Sequence, residues 1–356
     1  MTPSNVEQAI ASQIVASQVV TAPHNVVQPM LIVDEHKPIT ERNDAAPLQP
    51  RFIRPGEGTL WHAFGDSIRA QLTPEDTGGE IFVGHMEPPA GYGPPLHVHT
   101  QEDEIFIVEQ GTFEFTIRDE VFPVEPGTVV YGPRNIPHTW RATGEEVNRA
   151  TVISVPGCFG RFFKRCADVF AKGEPDMAEI FRIAGEHELI FMAPEEAAVY
   201  PVQDSRATPQ PRIIQPNEGI YAGVPGERGR GVLMNAETGG QCLLAEIEID
   251  PGHGPAPHIH TREDEVFLIQ SGRIEFQIGN ERTEVGPGAV VFAPRNIAHT
   301  FRVVSEEPAR AFILVTPGDF EQFFVRRAEL WHAGKLGPEQ MAELSAEFGL
   351  HFLAED

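Results

Sequence analysis

The sequence is short of cysteine, of basic residues and of long hydrophobic runs, and each shortage excludes a class of protein. Its 356 residues include three cysteines, Cys158, Cys166 and Cys242, which form neither a disulfide framework nor a metal-binding pair. Lys and Arg number 27 against 52 Asp and Glu, a net charge of −25, and such a surface repels nucleic-acid phosphates and anionic lipid heads. No apolar run is long enough to span a membrane. We therefore expect neither a nucleic-acid nor a membrane partner.

The N-terminal stretch lacks basic residues altogether. No Lys or Arg occurs from Met1 to His36, so the charged start of a secretory signal is missing and we expect a cytoplasmic protein. Gly and Pro, in contrast, are plentiful at 33 and 32 residues. They separate many short strand-like runs, a pattern that predicts an all-β protein of antiparallel sandwiches or barrels.

One stretch occurs twice and organises the chain. Each copy has two histidines one residue apart, then a carboxylate and, farther on, a third histidine. The first copy supplies His97, His99, Glu104 and His138. The second copy supplies the same residue types 161 positions later, at His258, His260, Glu265 and His299. A solvated acidic loop with surface histidines could explain one copy, but chance does not repeat four ligand types in register. We interpret the repeat as two metal sites.

The spacing places the side chains of one copy around a common point. Alternate residues of a strand face the same way, so His97 and His99 share a face, and Glu104 can reach the same point from a neighbouring strand. Imidazole and carboxylate ligands suit iron, nickel, manganese, cobalt, copper or zinc. Neither motif offers a sulfur ligand, which disfavours a closed structural zinc site of the cysteine type. Four protein ligands leave room on the ion for a substrate oxygen, water or dioxygen.

The same alternation predicts which side chains surround the metals. Trp140 shares a face with His138, and Phe106 shares one with Glu104. An apolar, aromatic interior suits a flat hydrophobic substrate, although the same side chains also fill a barrel core. The predicted pocket residues are Phe106, Phe113, Phe115, Tyr131 and Trp140 in the first copy and Phe267, Phe276, Phe292 and Phe301 in the second.

The repeat also divides the chain into two domains, each long enough to bury its own core. We predict an N-terminal extension over 1–50, with one helix near Ala9–Val20. The first barrel and its C-terminal helices then span 51–191, a linker spans 192–212, and the second barrel with its helices spans 213–356.

At these residues the chain resembles the cupin superfamily. The family's first motif is matched by Gly91, His97, His99, Glu104 and Gly111, and again by Gly252, His258, His260, Glu265 and Gly272. The second motif is matched by Gly127, Pro133 and His138, and again by Gly288, Pro294 and His299. Its inner Gly is replaced by Asn135 and Asn296, and its final Asn by Ala142 and Val303; Asn tolerates a left-handed turn. The resemblance implies two tandem jelly-roll barrels with flanking short α-helices, each holding one divalent transition metal.

Within the superfamily, the chain looks most like quercetin 2,3-dioxygenase and similar proteins. The resemblance lies in the opening Gly56–Gly58, in the Phe-rich segments that begin at Pro156 and Pro317, and in the terminal helix. It implies an enzyme that binds a flavonol or a related aromatic or enolic substrate at the metal and cleaves it with dioxygen. It further implies that Glu104, and Glu265 in the second copy, both bind the metal and take the substrate hydroxyl proton.

Two other functions stay open on the sequence. A bicupin decarboxylase or isomerase shares the ligand set, but it would need an Arg inside the barrel to hold an acid, and no Arg is clearly placed there. A metal-containing binding or storage protein without turnover is the third possibility, although storage-type cupins commonly lack the ligands. Base rates for soluble enzymes favour a homodimer.

Overall fold

The fold consists of antiparallel strands with a few short helices. The computed structural model describes residues 47–145, 147–201 and 208–353, so the helix predicted near Ala9–Val20 lies outside the described residues. The strands of the first half are β1 (Arg51–Ile53), β2 (Thr59–Ala63), β3 (Asp66–Leu72), β4 (Phe82–Met86), β5 (His97–His99), β6 (Asp103–Gln110), β7 (Phe113–Ile117), β8 (Glu120–Val124), β9 (Val129–Gly132), β10 (His138–Ala142), β11 (Arg149–Val155) and β12 (Leu189–Phe191). The strands of the second half are β13 (Arg212–Ile214), β14 (Ile220–Val224), β15 (Glu227–Leu233), β16 (Leu243–Ile249), β17 (His258–His260), β18 (Asp264–Ser271), β19 (Ile274–Ile278), β20 (Glu281–Val285), β21 (Val290–Ala293), β22 (His299–Val303), β23 (Ala309–Thr316) and β24 (Leu350–Phe352).

Helices follow each run of strands. They are α1 (Cys158–Phe170), α2 (Met177–Glu186) and α3 (Pro194–Ala197) in the first half, and α4 (Glu321–His332) and α5 (Pro338–Glu347) in the second. A 3₁₀ turn at Gly318–Phe320 precedes α4. The apolar side of α1 buries Phe162, Phe163 and Cys166 against the first barrel. In the part of the chain that is described, no helix has the length and apolar character needed to cross a bilayer.

The described strands form a large sheet of seven strands and a small sheet of five in each half. In the first half the large sheet has the order β13-β9-β6-β11-β4-β3-β2 and the small sheet the order β12-β5-β10-β7-β8. In the second half the orders are β1-β21-β18-β23-β16-β15-β14 and β20-β19-β22-β17-β24. The two sheets of each half enclose an apolar core. The predicted all-β architecture of two jelly-roll barrels is therefore confirmed.

The two barrels pack through the outer faces of their large sheets. Residues that alternate with the barrel-facing ones, such as Ile105 on β6 and Val266 on β18, form one shared apolar cluster with the corresponding residues of the other strands. The residues next to them along the strands, such as Phe106 and Phe267, point inward and belong to the core of their own barrel. Both faces of each large sheet are thus buried, and one core joins the two barrels.

The barrels exchange their first strands. Arg51–Ile53 pairs with β21 of the second barrel, and Arg212–Ile214 pairs with β9 of the first. We expected the first barrel to begin at residue 51 and the second at residue 213. In the structure, the strand at each of these places pairs with the other barrel. In these positions Ile53 and Ile214 are buried between the large sheets, where apolar burial stabilises the exchanged pairing. The segment predicted as a linker also contains the short helix α3.

We expect Ile214→Ala to lower the free energy of unfolding by about 3 kcal/mol, because it opens a cavity at a fully buried position of the shared cluster. Urea denaturation would measure this loss. Ile220→Ala is the matched control, since Ile220 is 56% exposed and should change stability by no more than about 0.5 kcal/mol. Equal effects of the two substitutions would contradict the role given to the exchanged strand.

Candidate metal centres

The four predicted ligands of the first copy converge inside the first barrel. His97 and His99 lie on β5 and His138 lies opposite His97 on β10, all in the small sheet. Glu104 reaches them from β6 in the facing large sheet. One ligand atom from each side chain lies within 4.8 Å of the others, and all four residues are buried. The strand alternation thus brings together residues that are up to 41 positions apart in the sequence.

Each histidine of this site has its Nδ1 atom fixed by an oxygen. Nδ1 of His97 donates to the Pro95 carbonyl at 2.8 Å, and Nδ1 of His138 donates to the Ile136 carbonyl at 2.9 Å. Nδ1 of His99 lies 2.6 Å from Oε1 of Glu102. Because these partners accept hydrogen bonds, the proton of each neutral ring resides on Nδ1 and the Nε2 lone pair is free to bind a metal.

The second barrel repeats this arrangement. Its ligands His258, His260, Glu265 and His299 also lie within 4.8 Å of one another and are buried. Nδ1 of His258 and of His299 donate to backbone carbonyls at 2.8 and 3.1 Å. Nδ1 of His260 lies 3.3 Å from Oε2 of Glu263, which takes the place of Glu102.

The four side chains of the first site are arranged to bind a cation. Oε2 of Glu104 lies 3.1 Å from Nε2 of His138 and 3.3 Å from Nε2 of His99, and the buried Nε2 of His99 has no hydrogen bond. Three nitrogen lone pairs and a carboxylate therefore face one point away from water, which is unfavourable without positive charge. Three nitrogens and one oxygen are a donor set for a divalent transition metal. The chain has two such metal sites, one in each barrel.

The electrostatics of the ligands reflects this crowding. Burial, with the neighbouring rings of His138 and His99, holds the pKa of His97 well below its usual range. Burial also acts to lower the pKa of His99, but the carboxylates of Glu104 and Glu102 outweigh it and raise that pKa to about 10. For Glu104 burial acts upward, and the surrounding histidines outweigh it and lower its pKa. A proton or a metal ion is thus held tightly between the rings and Glu104.

A mostly apolar cavity of about 70 Å³ leads to the first site. Of the four ligands, His97 and Glu104 line it. Its other walls are Phe64, Asp66, Ile68, Met86, Tyr92, Pro94, Pro95, Phe106, Trp140, Val152, Phe159, Phe162, Phe163, Leu189 and Phe191. No Arg or Lys is among the described residues that line this cavity. A substrate in it would meet aromatic rings and two carboxyl groups.

Seven of the nine predicted pocket residues lie in the barrel cores. Phe106 and Trp140 line the cavity. Phe113 and Phe115 lie behind them in the barrel core, where Phe115 contacts Phe106 at a ring distance of 5.1 Å. In the second barrel, the residues that correspond to Phe106, Phe115 and Trp140 are Phe267, Phe276 and Phe301. Their rings contact one another.

Tyr131 and Phe292, the other two predicted pocket residues, lie outside the barrel cores. Both side chains are buried between the barrels in the shared cluster. Alternation along β9 and β21 turns Val130 and Val291 into the barrels and the adjacent aromatic residues outward. The Tyr131 hydroxyl donates to Oδ2 of Asp103 at 2.9 Å.

The sequence did not identify the residues that support the ligands. Glu102 lies in an acidic turn of a kind that is ordinarily solvated, yet it is 2% exposed and its carboxylate contacts Nδ1 of His99. Its neighbour Asp103 is also buried and forms an ion pair with Arg134. Both acidic residues recur 161 positions later as Glu263 and Asp264, so the register of the repeat contained the signal.

Comparison with known proteins agrees with the fold. The family model described as "Cupin domain" matches residues 84–155 and 245–316. Quercetin 2,3-dioxygenase of Bacillus subtilis is 22% identical over 287 residues, covering 77% of this chain and 85% of that protein. An uncharacterized protein of Streptomyces coelicolor is 31% identical over 101 residues, covering 28% of this chain and 83% of that protein. The structure of oxalate decarboxylase from Bacillus subtilis at pH 4.6 superposes with a TM-score of 0.54 at 16% identity, covering 88% of this chain and 90% of that one. At that identity the likeness shows the fold.

We expect His97→Ala combined with His99→Ala to lower bound metal by about one ion per chain and leave the barrels folded, because the second site keeps its own ligands. Elemental analysis of the purified protein would measure the metal, and circular dichroism would check the fold. His62→Ala, which changes an exposed histidine outside the site, is the control. An unchanged metal content in the double variant would refute the first site.

We expect Glu102→Ala to weaken metal binding in the first barrel by about 10- to 100-fold, since the ring of His99 loses the carboxylate that orients it. Competition with a chelator would measure the affinity of each site. Glu263→Ala should produce the same loss in the second barrel alone. If either change left both affinities intact, the orienting role would be wrong.

Proposed function

This chain belongs to the cupin superfamily and carries two cupin domains in tandem, and on that basis we propose that it is a metal-dependent dioxygenase of a hydroxylated aromatic or enolic substrate, such as a flavonol. The observation that carries the proposal is the aromatic cavity that reaches Glu104 and His97 without an Arg or Lys in its described lining. The similarity to quercetin 2,3-dioxygenase of Bacillus subtilis, over 85% of that protein, supports it.

The cavity favours a flat ring over a small dianion. Phe106 and Trp140 form one wall, and Phe159, Phe162 and Phe163 form another. Its volume of about 70 Å³ is below the roughly 300–1,000 Å³ of common ligand pockets. A substrate as large as a flavonol therefore has to displace side chains at the mouth as it enters. The same rings then exclude water from the reacting atoms.

Glu104 is the group we assign to proton transfer. A divalent transition metal bound here supplies Lewis acidity and, when it is redox-active, the means to engage dioxygen. Glu104 is a ligand whose carboxylate also lines the cavity, so a substrate hydroxyl can meet it directly. Its carboxylate accepts the hydroxyl proton, and the substrate becomes the electron-rich enolate that dioxygen attacks. His97, His99 and His138 hold their positions through their Nδ1 hydrogen bonds.

The first barrel is the one to which we assign turnover. In the second barrel Phe320 is 2% exposed, and its ring lies 4.5 Å from that of His260. The corresponding Phe159 is partly exposed and lies 5.8 Å from His99. The second site is thus more closely covered by the ring of Phe320, and Glu265 would act there only if that ring moved.

A bicupin decarboxylase is the second candidate, favoured by the structural likeness to oxalate decarboxylase. It requires a cation to hold a small acid beside the metal. Arg134 and Arg295 are instead paired with Asp103 and Asp264, and Arg141 and Arg302 are exposed. The described residues therefore give this candidate less support than the dioxygenase.

Oxygen uptake tests the proposal. The protein would be loaded in turn with iron, nickel, manganese, cobalt and copper, and dioxygen consumption measured with quercetin and a panel of smaller phenolic enols. Metal-dependent uptake, with carbon monoxide released from quercetin, is the expected result. Formate and carbon dioxide from oxalate, without uptake, would identify the decarboxylase. Neither reaction, in protein that holds two metal ions per chain, would favour a binding or storage protein.

We expect Glu104→Gln to keep most of the metal and to lose at least about 100-fold in turnover, because the amide cannot take the hydroxyl proton. Oxygen uptake and elemental analysis of the same sample would separate the two effects. Glu265→Gln is the matched variant in the second barrel and should retain most of the activity. Persistent turnover in Glu104→Gln, with loss in Glu265→Gln, would transfer the reaction to the second barrel.

A further inference from the structure

Asp66 is a buried carboxyl in the first cavity that the metal site does not use. It begins β3 directly after the tight turn Phe64-Gly65, whose φ angles are 59° and 91°, and it lies opposite Ala63 in the hairpin. The side chain is 5% exposed and lines the cavity together with Glu104 and Trp140. The turn thus fixes a carboxyl group in an otherwise mostly apolar wall.

The carboxyl group of Asp66 has one local hydrogen bond. Its Oδ1 accepts from the Ser67 amide at 2.7 Å. Among the described residues, Oδ2 has no hydrogen-bond donor and no Lys, Arg or His forms an ion pair with Asp66. Burial raises the pKa of Asp66 to about 7, with the Ser67 amide acting in the opposite direction. Oδ2 of this carboxyl group is therefore available to a hydrogen-bond donor that enters the cavity.

The second barrel shows what a structural carboxylate looks like at the same place. Glu227 stands 161 residues after Asp66, in the same hairpin position opposite Val224. It forms an ion pair with Arg327 of α4 at 2.5 Å. The residue 161 positions before Arg327 is Cys166, which is fully buried and uncharged. The first barrel therefore keeps the acid at this position and omits the cation that neutralises it.

We propose that Asp66 binds a ring hydroxyl of the substrate, accepting its hydrogen bond and so selecting polyhydroxylated aromatic substrates over those that carry only the enol at the metal. The inference rests on the proposed function, which supplies the class of substrate. A cavity whose other walls are mostly apolar binds rings of many kinds, and Asp66 is its one carboxyl group outside the metal ligands among the described lining residues. A site built to bind a hydroxyl discriminates strongly against the analogue that lacks it, because its polar group is then buried without a partner.

The test compares two flavonols. Quercetin carries four hydroxyls besides the enol, whereas 3-hydroxyflavone carries the enol alone. Their dissociation constants would be measured by tryptophan fluorescence without dioxygen, on protein that holds two nickel ions per chain. We expect Asp66→Asn to weaken quercetin binding by at least tenfold and to change 3-hydroxyflavone binding by less than twofold. Glu227→Gln, the matched change in the second barrel, should alter neither.

The outcomes separate this inference from the proposed function. An unchanged ratio of the two dissociation constants in folded Asp66→Asn would overturn the role of Asp66, and Asp66→Ala gives the same comparison if the first variant folds poorly. Selective binding that depends on Asp66, without any oxygen uptake by the wild type, would overturn the dioxygenase and keep the hydroxyl site. A wild type that binds neither flavonol would overturn both.

Discussion

Both metal centres depend on the hydrogen bonds that fix the Nδ1 atoms of their histidines. A free imidazole rotates and exchanges its proton between two nitrogens, so three of them rarely present three lone pairs to one point. Here carbonyl oxygens and a buried glutamate accept from Nδ1 in each barrel, which sets the tautomer and the ring orientation together. The carboxylate from the facing sheet then completes the donor set. The small sheet carries the oriented histidines, and the large sheet supplies the carboxylate. The metal site therefore requires both sheets of the barrel.

The barrels in turn are held in register by the apolar cluster between their large sheets. Glu104 and Glu265 belong to strands whose outward residues, Ile105 and Val266, lie in that cluster. Packing at the interface therefore fixes the strands that carry the carboxylate ligands. Asp103, which is buried next to this cluster, accepts hydrogen bonds from the Tyr131 hydroxyl and from the backbone amide of Arg134. Each carboxylate ligand is thus one residue along its strand from a side chain that packs between the barrels.

Much of this could be predicted from the sequence because the repeat acts as an internal alignment. The eight ligands were identified by residue type and register, and Asn135 and Asn296, which replace a family glycine, do adopt the left-handed conformation with φ of 63° and 66°. Tyr131 and Phe292 could not be placed, because a strand buried on both faces gives no polar alternation to show which side is inward. The exchanged strands and the isolation of Asp66 depend on contacts between distant segments, which local pattern does not contain.

The reciprocal exchange of β1 and β13 bears on the origin of the two halves and on how they can diverge. Each half gives its first strand to the other and shares an equivalent face, which is the pattern of an isologous, strand-swapped dimer joined into one chain. In a true homodimer every substitution appears in both sites at once. Once fused, the halves keep the dimer's geometry but change independently. That freedom allows one barrel to have Asp66 and Cys166 at the two positions where the other has the ion pair of Glu227 and Arg327.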